Sequence, residues 1–257
     1  MRYFIEIAYN GQNYFGWQSQ PDQLSVQEEL EKAMSTILRK KIKVTGAGRT
    51  DTGVHAEQLF AHFDFSEINN IEDLIFKFNS LLSKDIVVKN ILLVTEEAHA
   101  RFNATEREYQ YHISTVKDPF LQDFTYQLRK KPDIKLMQKA ADMLFDHNDF
   151  QCFSRTKTNV KTYHCKIKKA FWKKDGDRLI FTISADRFLR NMVRAIVGTL
   201  LEVGFKKITL DDFENIIVSK DRRNAGTSVP ARGLYLTKVS YPEEIFRNST
   251  NHSFKKI

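Results

Sequence analysis

The side chains best suited by type to do chemistry lie in one short stretch, Gly46-Ala47-Gly48-Arg49-Thr50-Asp51-Thr52-Gly53-Val54-His55-Ala56. It holds one carboxylate, Asp51, among three glycines and a basic residue. Glycine lets backbone approach another backbone or a ligand closely. A carboxylate at such a tip can serve as general base or nucleophile, and loops on rigid scaffolds tend to carry chemistry. It can equally hydrogen-bond only its own turn. A second group comes far along the chain. Arg187, Arg190 and Arg194, with Asn191 and Gly198, fall opposite an apolar stripe of Leu189, Met192, Val193, Ile196, Val197, Leu200 and Val203. At 3.6 residues per turn this spacing predicts a helix over 189–203 with its guanidinium groups in one line. A face built for solubility mixes signs, but no acid or lysine stands between these arginines. Guanidinium also matches phosphate or carboxylate at two points, so the stripe reads as ligand-facing. A third candidate is Tyr109, on a predicted strand whose Tyr109, Tyr111 and Ile113 share one face.

Together these groups suit a polyanion. A basic groove holds nucleic-acid backbone, an aromatic ring stacks on an extruded base, and one carboxylate acts on the sugar–base bond. The charge agrees: 40 basic against 32 acidic residues give +8, and Lys and Arg displace counterions from phosphates. Other chemistries lack their parts. Asp51-Thr52-Gly53 is also an aspartic-protease tripeptide, but that dyad needs two carboxylates sharing a proton and the tripeptide occurs once. The glycines spell neither a Walker loop nor a dinucleotide fingerprint. No carboxylate pair has metal-site spacing, and the seven histidines do not cluster with cysteines at zinc spacing. Cys152 and Cys165 lack Cys-x-x-Cys spacing, so a reduced compartment is the default. No apolar run approaches a membrane span, and Met1-Arg2-Tyr3-Phe4-Ile5-Glu6 lacks a signal peptide's apolar core. The expectation is a soluble, cytoplasmic protein.

The elements that must position these groups follow from periodicity. Strands are predicted at 2–9, 41–45, 58–64 and 86–94, and helices from Ser25, as N-cap, to Leu38 and over 71–82. Gly11 to Pro21 is a loop carrying Tyr14, Phe15 and Trp17. The second half repeats the order, with strands at 108–113, 165–173, 178–185 and 234–240 and helices at 134–145 and 189–203. Lys174-Asp175-Gly176-Asp177 is a hairpin turn by its Asp-Gly, and 210–219 is an extra helix. Two β-α-β-β-α-β units predict an α+β fold of two ferredoxin-like halves, residues 1–105 and 106–242, sharing a mostly antiparallel sheet with a basic cleft at the seam. From Tyr241 the chain is polar and aperiodic, so 243–257 is expected to be a tail.

The motifs carry a resemblance. Gly48-Arg49-Thr50-Asp51-x-Gly53-Val54-His55-Ala56 resembles the signature of the TruA family of tRNA pseudouridine synthases. Ala104-Thr105-x-Arg107-x-Tyr109-x-Tyr111, Met192-Val193-Arg194-x-x-Val197-Gly198 and Gly233-Leu234-Tyr235-Leu236 match further motifs, in the family's order. The chain departs from the pattern at Thr52, where Ala is common, and at Val229-Pro230-Ala231-Arg232, where Ala-Pro-x-His is commoner; no role is assigned to Arg232. The resemblance implies a homodimer without cofactor or metal that converts uridine to pseudouridine at positions 38, 39 and 40 of the tRNA anticodon arm. It makes Asp51 the catalytic aspartate, Tyr109 the ring stacked on the target uracil, Arg194 the partner of the aspartate and Arg49 an RNA contact. Arg187 and Arg190 are then candidate contacts to the RNA backbone. Asp51 could attack ribose C1′, add to the base, or remove the 2′ proton. The competing reading, an RNA-binding module without catalysis, shares the basic and aromatic groups and needs no Asp51.

Overall fold

Apolar residues at alternate or helical positions fold as their periods dictate. In the computed structural model, which describes residues 1–156 and 160–247, the first half contributes strand β1 (Arg2–Tyr9), helix α1 (Val26–Leu38), a two-residue strand β2 (Thr45–Gly46), strand β3 (His55–Asp64), helix α2 (Ile71–Leu81) and strand β4 (Ile86–Val94). The second half contributes β5 (Glu106–Ser114), the short β6 (Tyr126–Gln127), α3 (Ile134–Met143), β7 (Ile167–Asp175), β8 (Arg178–Ala185), α4 (Met192–Gly204), α5 (Leu210–Ser219) and β9 (Leu234–Ser240). Side-chain caps start α1 and α2: Ser25 accepts from the Glu28 N–H and Asn70 from that of Asp73. Thr209 and Asp212 close a reciprocal box on α5. Each satisfies an amide that the first turn leaves without a partner.

The strands form one large, mostly antiparallel sheet in the order β4-β1-β3-β9-β5-β8-β7, with β2 on β3 and β6 on β5. This is a mixed α+β fold. β5 lies between β8 and β9, antiparallel to both. The exception that matters for the site is β3 on β9, a parallel pairing of only two register pairs, His55 with Tyr235 and Ala56 with Leu236. Apolar side chains gather in two separate cores. One surrounds α3, α4 and α5; the other surrounds β1, β3 and α1. Tyr109 packs against both, so it stands where they meet.

Three expectations change. The predicted strand over 41–45 pairs only at Thr45, because the amides before it are taken by side chains. Ser35 Oγ accepts from the Ile42 N–H and the buried Glu31 carboxylate from that of Val44. The helix expected over 189–203 begins at Met192, since Asn191 adopts a left-handed φ of 67° that ends helical geometry before it. The expected tail starts inside the fold: Glu243–Ile245 form a short 3-10 turn, Ile245 is buried, and Phe246 bridges to Val94. Residues 248–257 lie outside the described residues.

Candidate active site

The Asp51 loop rests on the loop before α1. The Trp17 N–H donates to Thr50 O and the Gly53 N–H to Tyr14 O. Tyr14 and Trp17 are buried plugs, whereas Phe15 is exposed. Gly16 has φ 89°, and a Cβ there would lie 2.3 Å from Thr50 O, so only glycine lets the two loops touch. Thr50 is buried, its hydroxyl 2.8 Å from that of Tyr9. Gly53, at φ 76°, reverses the chain into β3. Asp51 is thus held from both sides by backbone while its side chain stays 26% exposed.

The Asp51 carboxylate takes no hydrogen bond from its own turn or from any other described residue; its neighbours are two guanidinium groups. Arg190 Nε lies 3.6 Å from Oδ1 and Arg194 Nη1 3.8 Å from Oδ2. The self-capping alternative for Asp51 is therefore overturned. Both ion pairs are longer than a hydrogen bond, so lone pairs remain open to a substrate.

Two of the three arginines lie beside Asp51, and only one of them stands on the helix that the stripe predicted. Arg187 and Arg190 sit on the loop between β8 and α4, and only Arg194 is helical. Asn191 caps α4 in the left-handed conformation, its Nδ2 donating to Ser228 Oγ at 2.6 Å instead of to the helix. Strain of this kind persists where surrounding structure over-determines it. Arg194 Nε donates to Val229 O at 2.7 Å, and the Val229 N–H returns a bond to Arg194 O. The segment that departs from the family pattern thus holds Arg194 through backbone atoms. Arg232 turns away, its Nε donating to Thr125 O. Arg187 reaches Thr162 O at 3.4 Å, and the exposed Arg49 reaches Gln18 Oε1 at 3.3 Å; neither pairs with Asp51.

Tyr109 lies on the middle of β5, partly buried, with Phe188 edge-on at 5.2 Å. Burial pushes its hydroxyl up to about 12; Arg107 opposes this and the charge of Asp51 adds to it. The phenol is therefore protonated at neutral pH and close enough to Asp51 to feel its charge. Sequence reasoning gave Arg107, two residues away on the same face, no role. Its Nη1 donates to Ala104 O and Asp186 O, both at 2.8 Å, and its Nη2 to Ala47 O at 3.1 Å and Arg101 O at 2.6 Å. One guanidinium thus ties the root of the Asp51 loop to the root of the arginine loop. The one signal in the sequence was the period-2 spacing Arg107-x-Tyr109-x-Tyr111. Among the described residues, no group of three or more His, Cys, Asp or Glu is arranged to hold a metal ion, and no helix is long and apolar enough to cross a membrane.

Residues 140–242 match the family described as tRNA pseudouridine synthase. A protein of Parabacteroides distasonis called tRNA pseudouridine synthase A is 52% identical over 248 residues, covering 95% of this chain and 98% of that protein. Its namesake in Bacteroides fragilis is 51% identical over 247 residues, covering 95% and 98%. That of Bacillus subtilis is 38% identical over 245 residues, covering 94% and 99%. The chain belongs to the tRNA pseudouridine synthase family, isomerases that convert uridine to pseudouridine.

Proposed function

We propose that this chain isomerises uridine to pseudouridine at positions 38, 39 and 40 of the tRNA anticodon arm, with Asp51 as the catalytic carboxylate. The observation that carries the reading is an Asp51 side chain with no hydrogen bond among the described residues and two guanidinium groups within 4 Å. The phosphate backbone lies along Arg187, Arg190 and Arg49, and the target nucleotide leaves its stack. Flipping costs a few kcal/mol, offset by backbone contacts and by stacking of the uracil on Tyr109. Asp51 then acts on the ribosyl–uracil unit. The C1′–N1 bond breaks and a C1′–C5 bond forms; C5 loses a proton and N1 gains one, so the reaction balances without an external reactant. Arg194 stabilises the carboxylate's charge beside the reacting sugar. Tyr109, partly buried between both cores, keeps the detached uracil from solvent, where its escape would leave an abasic site.

Two β-α-β-β-α-β halves are part of this reading. In each, the outer strands flank in the order fourth, first, third, second: β4-β1-β3-β2 and β9-β5-β8-β7. That is the order expected of a ferredoxin-like unit, with the cleft at their junction. A homodimer in the cytoplasm completes it, resting on the family resemblance and on two free, buried cysteines.

The test is Asp51→Asn, which keeps shape and removes charge. Pseudouridine formation in unmodified tRNA should be abolished while tRNA affinity stays within a few-fold. Retained activity, or a large loss of binding, would overturn Asp51's assignment. Substrates with a single uridine at position 38, 39 or 40 define the site range.

A further inference from the structure

The turn before β5 carries an exposed aromatic ring on an unusually well-fastened backbone. Every N–H from Ala98 to Asn103 has an acceptor. Ala98 donates to Thr95 O and His99 to Asn103 Oδ1, while Ala100 donates to His62 Nδ1. Arg101 and Phe102 both donate to His99 Nδ1, and Asn103 donates to His99 O. The carbonyls are tied as well, Ala100 O to the Tyr241 hydroxyl and Arg101 O to Arg107 Nη2, each at 2.6 Å. Yet Phe102 is 75% exposed. His99 lies against its ring at 4.3 Å, and the Arg101 guanidinium carbon is 5.7 Å from its centroid. Arg101 has no ion-pair partner among the described residues. A ring that merely covered a core edge would be largely buried. Here the ordering entropy of the turn has already been spent, and what it presents is an exposed ring under a guanidinium that has no carboxylate partner among the described residues.

Its place matters. The Arg107 fork that holds Arg101 O also holds Ala47 O, so this turn abuts the root of the Asp51 loop. We propose that Phe102 and Arg101 form a second stacking step for the RNA: Phe102 takes a nucleobase next to the flipped nucleotide, and Arg101 faces the adjoining phosphate. This rests on the proposed tRNA substrate and adds a subsite to it. Base–aromatic stacking tolerates any base, which suits an enzyme that must accept several neighbouring target positions.

The experiment measures the affinity of unmodified tRNA by fluorescence anisotropy for the full-length chain and for Phe102→Ala, Phe102→Leu, Phe102→Trp and Arg101→Gln. Phe102→Ala and Phe102→Leu should both weaken binding at least fivefold with an unchanged thermal midpoint. Phe102→Trp should bind within twofold of wild type, and tRNA should quench its added emission; Trp17 and Trp172, at 1% and 9% exposure, form a buried background. Arg101→Gln should lower the slope of log affinity against log salt by about one. Wild-type affinity in Phe102→Ala, or in Phe102→Leu, would overturn the stacking step. So would a Phe102→Ala chain that loses self-association and keeps its tRNA affinity, which would make the ring a contact between copies. Failure of the catalytic reading is separate: a wild-type chain that binds tRNA with this Phe102 pattern yet forms no pseudouridine would sink the reaction and leave the stacking step standing.

Discussion

Arg107→Met removes the clamp between the two loops while keeping an unbranched side chain on the strand. Of the four bonds lost, those to Ala104 O and Ala47 O are partly buried and those to Asp186 O and Arg101 O are exposed. Water replaces the exposed pair at little cost. Hydrogen bonds from a charged donor contribute about 1.5–3 kcal/mol each, so the partly buried pair is worth about 3–6 kcal/mol. Part of this is returned, because burial already holds the Arg107 guanidinium below its ordinary pKa and methionine has no charge to desolvate. A net loss of about 2–4 kcal/mol remains, or roughly 5–15 °C in thermal midpoint for a chain of this size. The catalytic effect should exceed what stability explains. The clamp sets Ala47, four residues before Asp51, against Asp186, which precedes Arg187. An ångström of misplacement costs on the order of 100-fold in rate. The assay is single-turnover release of tritium from C5-labelled uridine in tRNA, well below the variant's midpoint. A rate roughly 100-fold down with tRNA affinity within a few-fold is expected, and Arg107→Lys, which can serve fewer carbonyls, should fall between. A lowered midpoint with a wild-type rate would refute the positioning argument.

Tyr109→Phe keeps the ring and its edge contact with Phe188, so it should retain tRNA binding, while Tyr109→Ala should lose about 1–3 kcal/mol of it; equal affinities would remove the stacking role. Arg190→Gln should weaken tRNA binding and flatten its salt dependence by about one in slope, and an unchanged slope would place Arg190 away from the RNA. Stability should fall on acidification well above the carboxylate range. Burial holds His62 and His112 at about 4, with the charges of His99 and Arg178 respectively adding to it. Both stay neutral in the folded state while the unfolded chain takes up protons below its ordinary value near 6.5, so the stability they contribute is full above that pH and is lost down to about 4. At pH 5 each contributes at most about 2 kcal/mol to the loss, and less for the more exposed His112. Urea midpoints that do not change between pH 7.5 and 5 would contradict this.

What the sequence made legible was local or periodic. The Asp-Gly turn between β7 and β8 and the alternation of Tyr109, Tyr111 and Ile113 follow from preferences that neighbours within a few residues impose. So does the glycine-flanked tip at Asp51. What stayed hidden depends on distant partners. Leu189 fits the helical period of α4, and nothing nearby announces that Asn191 will take a left-handed φ to reach Ser228. Ile42 and Val44 alternate like a strand, but Ser35 and Glu31 take their amides first. Arg107 stood in a motif with no role of its own, because its four acceptors come from segments up to 79 residues away. The arginines were found by residue type, yet only Arg194 approaches Asp51 from the helix, and Arg190 comes from the loop before it.

β3 and β9 meet in a parallel pairing that ends after Ala56 and Leu236. Short as it is, this seam is braced on both sides: Leu236 and Val239 of β9 pack into the interior around β1 and β3, Leu234 into the other, and Tyr109 against both. The Arg107 guanidinium crosses the same boundary, between Ala47 O and Asp186 O. A change of packing on either side is therefore felt at the walls around Asp51, whose shape both interiors set at once.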